Sequence, residues 1–270
     1  MTIVTRLVGP SPTLCLDVAG PEDAPTVLFL HGIGGNRGNW TEQVRALSNR
    51  YRAVALDARG YGGSEDGGAA LAFTDFGDDV IRVLDALGAG RAHLVGLSMG
   101  GRIALDVWRR YPDRVATLTL ADTSAGSRET AAPERVEAFL AARRKPLLEG
   151  KTTADIAFEV AATLAGPNIA PKTWGALVAS LSALRPEPYL RTLEAVTRFT
   201  DFAPFETIDV PTLVIVGTED RVAPPPIARA MAAAIPGARL VEIEGAGHIS
   251  NLEAPAAFTA ALSAFLARHA

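Results

Sequence analysis

The sequence predicts an α/β fold, a mostly parallel sheet with helices on both faces, and three observations carry that prediction. Short apolar runs bounded by turn residues recur along the chain, stretches with helical spacing lie between them, and 48% of the 270 residues are hydrophobic, enough for a sizeable core. Alternation of this kind implies parallel βαβ units, because a strand rejoins a parallel neighbour only through a crossover.

The first strong strand is TVLFL at 26–30, and YRAVALD at 51–57 is the second. Phe76, Val80, Ile81, Val83, Leu84 and Leu87 then repeat with the spacing of one helix face. RAHLVGL at 91–97 leads into a helix from about Gly100 that carries Ile103, Ala104, Val107 and Trp108, and VATLTLAD follows at 115–122. From about Ser124 to Asp201 the rhythm breaks. No β-rich run occurs there, and Ala- and Leu-rich segments near 134–148, 153–164, 171–184 and 188–199 are separated by Gly150, Gly166-Pro167 and Pro186. We read 124–201 as a helical insertion, a lid over the carboxyl edge of a sheet built from 1–123 and 202–270. The alternation resumes with PTLVIVG at 211–217, a helix from Pro225 to Ile235, RLVEIEG at 239–245 and a last helix from Pro255 to Arg268.

The bulk properties exclude several classes. A net charge of −4 without a basic stripe argues against a nucleic acid or an anionic membrane as partner. No apolar run approaches the ~20 residues that cross a bilayer. The opening MTIVTRLVGPSP lacks the features of a signal peptide, and the single Cys15 cannot form an internal disulfide. A reducing, cytoplasmic setting is the expectation, with Cys15 a small buried hydrophobe.

Gly96-Leu97-Ser98-Met99-Gly100 sits between a predicted strand and a predicted helix. A serine at so tight a turn takes a strained backbone, and bulk two places away on either side would clash; this is the context of a nucleophile elbow. A serine hydroxyl needs a base at neutral pH. Of four histidines, His93 lies inside a strand, His269 adjoins the C-terminus, and His31 stands beside a glycine after the first strong strand. His248, in EGAGHISNLEAP, is left in a loop directly after a strand. The base needs an orienting acid. Asp220 arrives at the same sheet edge after 211–217, with Glu219 and Asp122 as rivals. Glycines in HGIGG at 31–35 let backbone approach a substrate, so the Ile33 N–H can join that of Met99 to hold an oxyanion. A phosphate loop is the rival reading of these glycines, but no Gly-Lys-Ser/Thr ending or Gly-x-Gly-x-x-Gly spacing supports it.

Taken together, HGIGG, DARGYGGS at 57–64, GLSMGG, GTEDRVAPP and GAGHISNLEAP resemble the α/β-hydrolase family with a helical cap, over nearly the whole chain. The resemblance implies Ser98 as nucleophile, His248 as base, Asp220 as acid, and Ile33 with Met99 at the oxyanion hole. Arg59, Gly60 and Ser64 match a family turn that is usually structural. GLSMGG with GHISNLEAP is similar to 3-oxoadipate enol-lactonases and related carboxylester hydrolases, although those lactonases often lack the His-Gly pair that His31-Gly32 supplies here. The expectation is a cofactor-free serine hydrolase of a small-molecule ester or lactone that needs no metal. Arg128 at the lid entrance is a candidate anchor for a substrate carboxylate, against which a solvated surface arginine is at least as good a reading, and Trp40 is a candidate pocket wall with an equal reading as a core residue. Carbon–carbon bond hydrolysis, perhydrolysis and acyl transfer use the same triad, and a ligand-binding protein with little turnover is the alternative of a different class.

Overall fold

The computed structural model of the protein describes residues 2–68, 70–125 and 133–269. One sheet holds eight strands: β1 (Val4–Val8), β2 (Leu14–Ala19), β3 (Thr26–Leu30), β4 (Arg52–Leu56), β5 (Ala92–Leu97), β6 (Val115–Ala121), β7 (Thr212–Gly217) and β8 (Arg239–Ile243). Their order is β1-β2-β4-β3-β5-β6-β7-β8. The β1–β2 and β2–β4 pairs are antiparallel and the others parallel. β1 and β2 extend the sheet beyond the six strands expected from the apolar runs. As an edge strand, β1 is exposed at four of its five positions, so no buried run marks it.

The helices are α1 (Thr41–Leu47), α2 (Thr74–Ala86), α3 (Met99–Arg110), α4 (Pro133–Leu148), α5 (Thr153–Leu164), α6 (Pro171–Ser182), α7 (Pro186–Arg198), α8 (Pro225–Ala234), α9 (Ser250–Glu253) and α10 (Pro255–Leu266). Successive strand residues feed two different cores, as the two-residue period of a strand requires. Val27 and Phe29 pack with Val44 and Leu47 of α1 and with Phe258, Leu262 and Phe265 of α10. Leu28 and Leu30 pack with Phe76, Val80 and Val83 of α2, Ile103 and Val107 of α3, and Met231 of α8. Burial on both faces explains why these strands read as unbroken apolar runs.

Between β6 and β7 the chain forms α4 to α7 and no strand among the described residues. A capping box of Thr152 and Asp155 starts α5, while α6 and α7 begin on Pro171 and Pro186, where a missing N–H costs nothing. α7 is fastened to the rest of the chain by Arg102, whose Nη2 donates to the carbonyls of Val196 and Phe199 at 2.9 and 2.7 Å, and by the Arg191–Asp66 ion pair.

This topology places the site. β3 and β5 are neighbours, yet the chain leaves β3 for β4 on one side and only then crosses to β5 on the other. Loops diverge at such a switch point and leave a crevice at the carboxyl ends of the strands.

Candidate active site

Ser98 lies directly after β5 with φ 54° and ψ −114°, one of two non-glycine residues among those described with positive φ. Such strain persists only where the surroundings enforce it. Here they do: a Cβ on Gly96 would fall 2.2 Å from the Gly100 carbonyl, so strand and helix meet at van der Waals limits on either side of the serine. The Ser98 N–H donates to Ala121 O at 2.9 Å, and the Thr123 hydroxyl donates to Ser98 O at 2.6 Å.

The loop after β8 brings His248 to Ser98, with Nε2 to Oγ at 2.9 Å, and the turn after β7 brings Asp220 Oδ2 to His248 Nδ1 at 2.8 Å. Asp220 and His248 are buried. Oδ1 of Asp220 accepts from the N–H groups of Val222 and Ala223 at 2.7 and 3.0 Å. Burial alone would raise the Asp220 pKa, but the bond and charge of His248, with the two backbone donors, outweigh it and hold the carboxyl below its ordinary value. An ionised carboxylate only accepts, so Nδ1 carries the imidazole proton and Nε2 turns a lone pair to the serine hydroxyl. A hydroxyl so placed is set up to become a nucleophile.

The 31–35 loop passes beside this serine: a Cβ on Gly32 would stand 3.2 Å from Ser98 Cβ. His31 is buried in it with both ring nitrogens used. Ala58 N–H donates to Nε2 at 3.1 Å, so the proton is on Nδ1, which donates to Gly32 O at 2.8 Å; Gly35 N–H donates to the same carbonyl at 3.0 Å. Burial lowers the His31 pKa, in keeping with a neutral ring. Two donors on Gly32 O fix the trans peptide that also carries the Ile33 N–H, and that N–H then faces the opposite way. Neither it nor the Met99 N–H, at the first position of α3, bonds to another described residue.

The alpha/beta hydrolase fold family matches this chain over residues 25–255. The chain belongs to that family. It is 31% identical over 255 residues to a 3-oxoadipate enol-lactonase of Acinetobacter baylyi, covering 94% of this chain and 93% of that protein. The solved enol-lactonase of Burkholderia xenovorans LB400 superposes with a TM-score of 0.85 at 30% identity, over 98% of this chain and all of that one. A thermophilic esterase from Thermogutta terrifontis, solved with malate bound, gives 0.87 at 28% identity over the full length of both chains.

In this α/β-hydrolase the serine opens into a cavity of about 880 Å³, its mouth included. The walls are mostly apolar: Ile33 from the loop after β3, and Val160, Leu177, Leu181 and Leu193 from α5, α6 and α7. Trp40 borders the cavity but is fully buried, its ring tilted against those of Phe29 and Phe258 at centroid distances of 5.0 and 5.8 Å, so it is a core residue lying under the wall. Arg128 lies outside the described residues. Among the described residues, the arginine that borders the cavity is Arg143 of α4. His93 is held inside the sheet by Thr117, Nδ1 to Oγ1 at 3.0 Å, and His269 is exposed at the far end of the chain. The turn at 57–64 is structural: Arg59 pairs with Asp79 at 2.7 Å and the Ser64 hydroxyl donates to Asp57 O at 2.6 Å.

Of the rivals to Asp220, Glu219 is exposed. Asp122 is buried after β6, but spends its oxygens elsewhere. Oδ1 accepts from Gly217 N–H at 2.9 Å, and Oδ2 from the Ser250 hydroxyl and N–H at 2.5 and 3.2 Å. It thus ties the strand before Asp220 to the loop after His248, a role that the sequence position alone did not suggest. Burial pushes its carboxyl up to about 7, with Asp220 adding to the rise and His248, Ser250 and the Gly217 N–H opposing it. The folded chain therefore holds this proton more tightly than the unfolded chain. Its contribution is full below the ordinary value of 3.8 and is lost as pH rises through about 7. Asp220 runs the other way, its contribution lost as pH falls. In urea titrations across that window the native chain should lose stability, relative to Asp122→Asn, as pH rises; parallel curves for the two would contradict the assignment.

Proposed function

We propose that this α/β-hydrolase is a cofactor-free serine hydrolase acting on carboxylic esters or lactones. Ser98 Oγ attacks the substrate carbonyl while His248 Nε2 takes its proton, and the negative charge that develops on the carbonyl oxygen is met by the N–H groups of Ile33 and Met99. Collapse of the tetrahedral intermediate expels the alcohol, protonated by His248, and leaves an acyl-enzyme. Water, deprotonated by the same imidazole, then attacks the acyl group and regenerates Ser98. Asp220 keeps the ring in the required tautomer and stabilises the imidazolium, without itself taking the proton.

The observation that carries this reading is the unbroken chain from Ser98 Oγ through His248 to Asp220, at 2.9 and 2.8 Å, at the floor of the cavity. The similarity to an enol-lactonase and an esterase supports the ester or lactone class. Residues 124–201 serve as a lid, and the apolar side chains it turns to the cavity suit a substrate with an apolar acyl or alcohol group.

A fluorophosphonate probe and a panel of p-nitrophenyl esters of increasing chain length, with an enol-lactone and an aliphatic lactone alongside, test the proposal. The native chain should be labelled and turn over at least one of them, favouring longer apolar esters over short ones, while Ser98→Ala is neither labelled nor active. A native chain that takes no label and hydrolyses nothing, or a Ser98→Ala variant of full activity, would overturn it.

A further inference from the structure

The α5–α6 hairpin of the insertion does more than border the cavity. It bonds to both loops that form the site. On one side, α6 lies on the 31–35 loop so closely that a Cβ on Gly34 would stand 2.5 Å from Leu181 Cδ2. There the Ser180 hydroxyl donates to Gly34 O at 3.0 Å and accepts from Asn36 Nδ2 at 2.9 Å. On the other side, the end of α5 lies on the loop that carries His248. The His248 N–H donates to Leu164 O at 2.8 Å. Glu253 bridges the two segments, accepting from Gly247 N–H on Oε1 at 3.1 Å and from Gly166 N–H on Oε2 at 2.9 Å.

The two segments touch backbone to backbone. A Cβ on Gly247 would fall 2.3 Å from Gly166 N, and one on Gly166 would fall 2.7 Å from Gly247 N. Arg221, next to Asp220 in the chain, donates through Nη2 to the carbonyls of Ala162 and Ala165, each at 3.0 Å, and so closes the end of α5. Ile249, next to His248, is packed into the hairpin's own apolar cluster with Ala157, Ala161, Leu177 and Leu181. Two successive N–H groups of the base-bearing loop, those of Gly247 and His248, thus end on acceptors belonging to the hairpin or bridged to it.

α4 is held differently. Its side-chain ion pairs and hydrogen bonds among the described residues stay between β6 and β7: Arg144 to Glu194 and Glu137 to Arg198 of α7, Arg143 to Thr163 of α5, and Lys145 to Glu149 just past its own end. Phe139 of α4 and Val222, which both line the cavity, are 42% and 45% exposed, so the cavity opens to solvent beside α4. Lifting the hairpin would strip partners from the loops that hold the reacting groups; moving α4 would not.

We propose that the α5–α6 hairpin is a fixed clamp on the reaction centre, in which Glu253 positions the His248 loop and Ser180 the oxyanion loop, with substrate passing on the α4 side. The proposal rests on the serine hydrolase reading for its kinetic arm only. With the best ester from the panel, Glu253→Ala should lower kcat about 10²-fold with little change in KM, the effect of a reacting group displaced by about an ångström. Glu253→Gln, which keeps one acceptor oxygen, should fall between. Ser180→Ala should also act on kcat, and Ser180→Thr, which restores the hydroxyl, should recover it. Arg144→Ala, which breaks a pair inside the insertion, should leave kcat unchanged.

A second readout does not depend on turnover. The proton that His248 shares with Asp220 should give a low-field NMR resonance in the native chain, which Glu253→Ala broadens or abolishes while the folded fraction stays native. If Glu253→Ala, still folded, keeps that resonance and, where an ester is turned over, Glu253→Ala and Ser180→Ala both keep native kcat, the hairpin is a cover and the clamp is wrong. If Ser98→Ala remains fully active, the serine hydrolase reading fails, and the resonance still decides the clamp.

Discussion

Asp220→Asn is expected to lower kcat by about 10⁴, the loss found when a triad aspartate becomes an amide. The geometry says why so small a change would cost so much. Oδ1 of the asparagine can still accept from Val222 and Ala223, so the turn after β7 keeps its shape. The amide NH₂ then occupies the place of Oδ2 and points a donor at His248 Nδ1. Two donors cannot share one bond, so Nδ1 gives up its proton, the proton moves to Nε2, and the lone pair that should receive the Ser98 proton is gone. Neither rival takes over, because Glu219 faces solvent and Asp122 is committed to Gly217 and Ser250. Steady-state kinetics on the best ester, with the unfolding midpoint as control, check this; a variant that keeps most of its kcat would remove Asp220 from the role assigned to it.

Gly100→Ala is expected to produce the largest loss of stability, about 3 kcal/mol, at the upper end of what overpacking usually costs. Its Cβ would stand 2.1 Å from Leu30 O, 2.6 Å from Leu30 C and 2.9 Å from Leu30 Cβ. Leu30 ends β3, which is paired with β4 and β5, so this backbone has no room to retreat. To relieve the clash α3 must lift from the sheet, which moves the Met99 N–H and separates Ser98 from the loop that begins at His31. Activity and stability should therefore fall together. Gly175→Ala is the matched control: in α6, with nothing near its Cβ, it should be neutral or stabilising by about 0.5–1 kcal/mol, the helix-propensity gain over glycine. Urea midpoints for the two variants measure the difference, and similar values for both would refute the steric account.

Much of this was legible in the residues because the relevant signals are local. Five of the six expected strands, β3 to β7, are apolar runs buried on both faces, β8 is a partly buried edge strand, and Ser98, Asp220 and His248 each lie past the carboxyl end of a strand, so chain position alone brings them to one sheet edge. β1 escaped notice because four of its five residues are exposed, and β2 because Asp17 interrupts its buried run. Trp40 could not be assigned from its place beyond the oxyanion loop, since core or wall depends on the arrival of Phe258 from more than two hundred residues away. The cation near the cavity is Arg143, one helical face chosen by packing among several arginines in α4. Glu253 gave no sequence sign of its bond to Gly166, because that residue lies 87 residues earlier. Local chemistry marks candidate reacting groups, while the groups that bond to their loops answer to tertiary contacts.

The unequal fastening of the four inserted helices has an evolutionary corollary. α6 presents Leu177 and Leu181 to the cavity from the same helix whose Ser180 hydroxyl bonds to Gly34 O, so on the proposed reading a change of diet written there puts rate at risk as well. α4 carries no such double duty, since its polar bonds among the described residues stay within the insertion. Mutational drift and laboratory selection for new substrates should accumulate along α4, leaving the α5–α6 corner comparatively untouched.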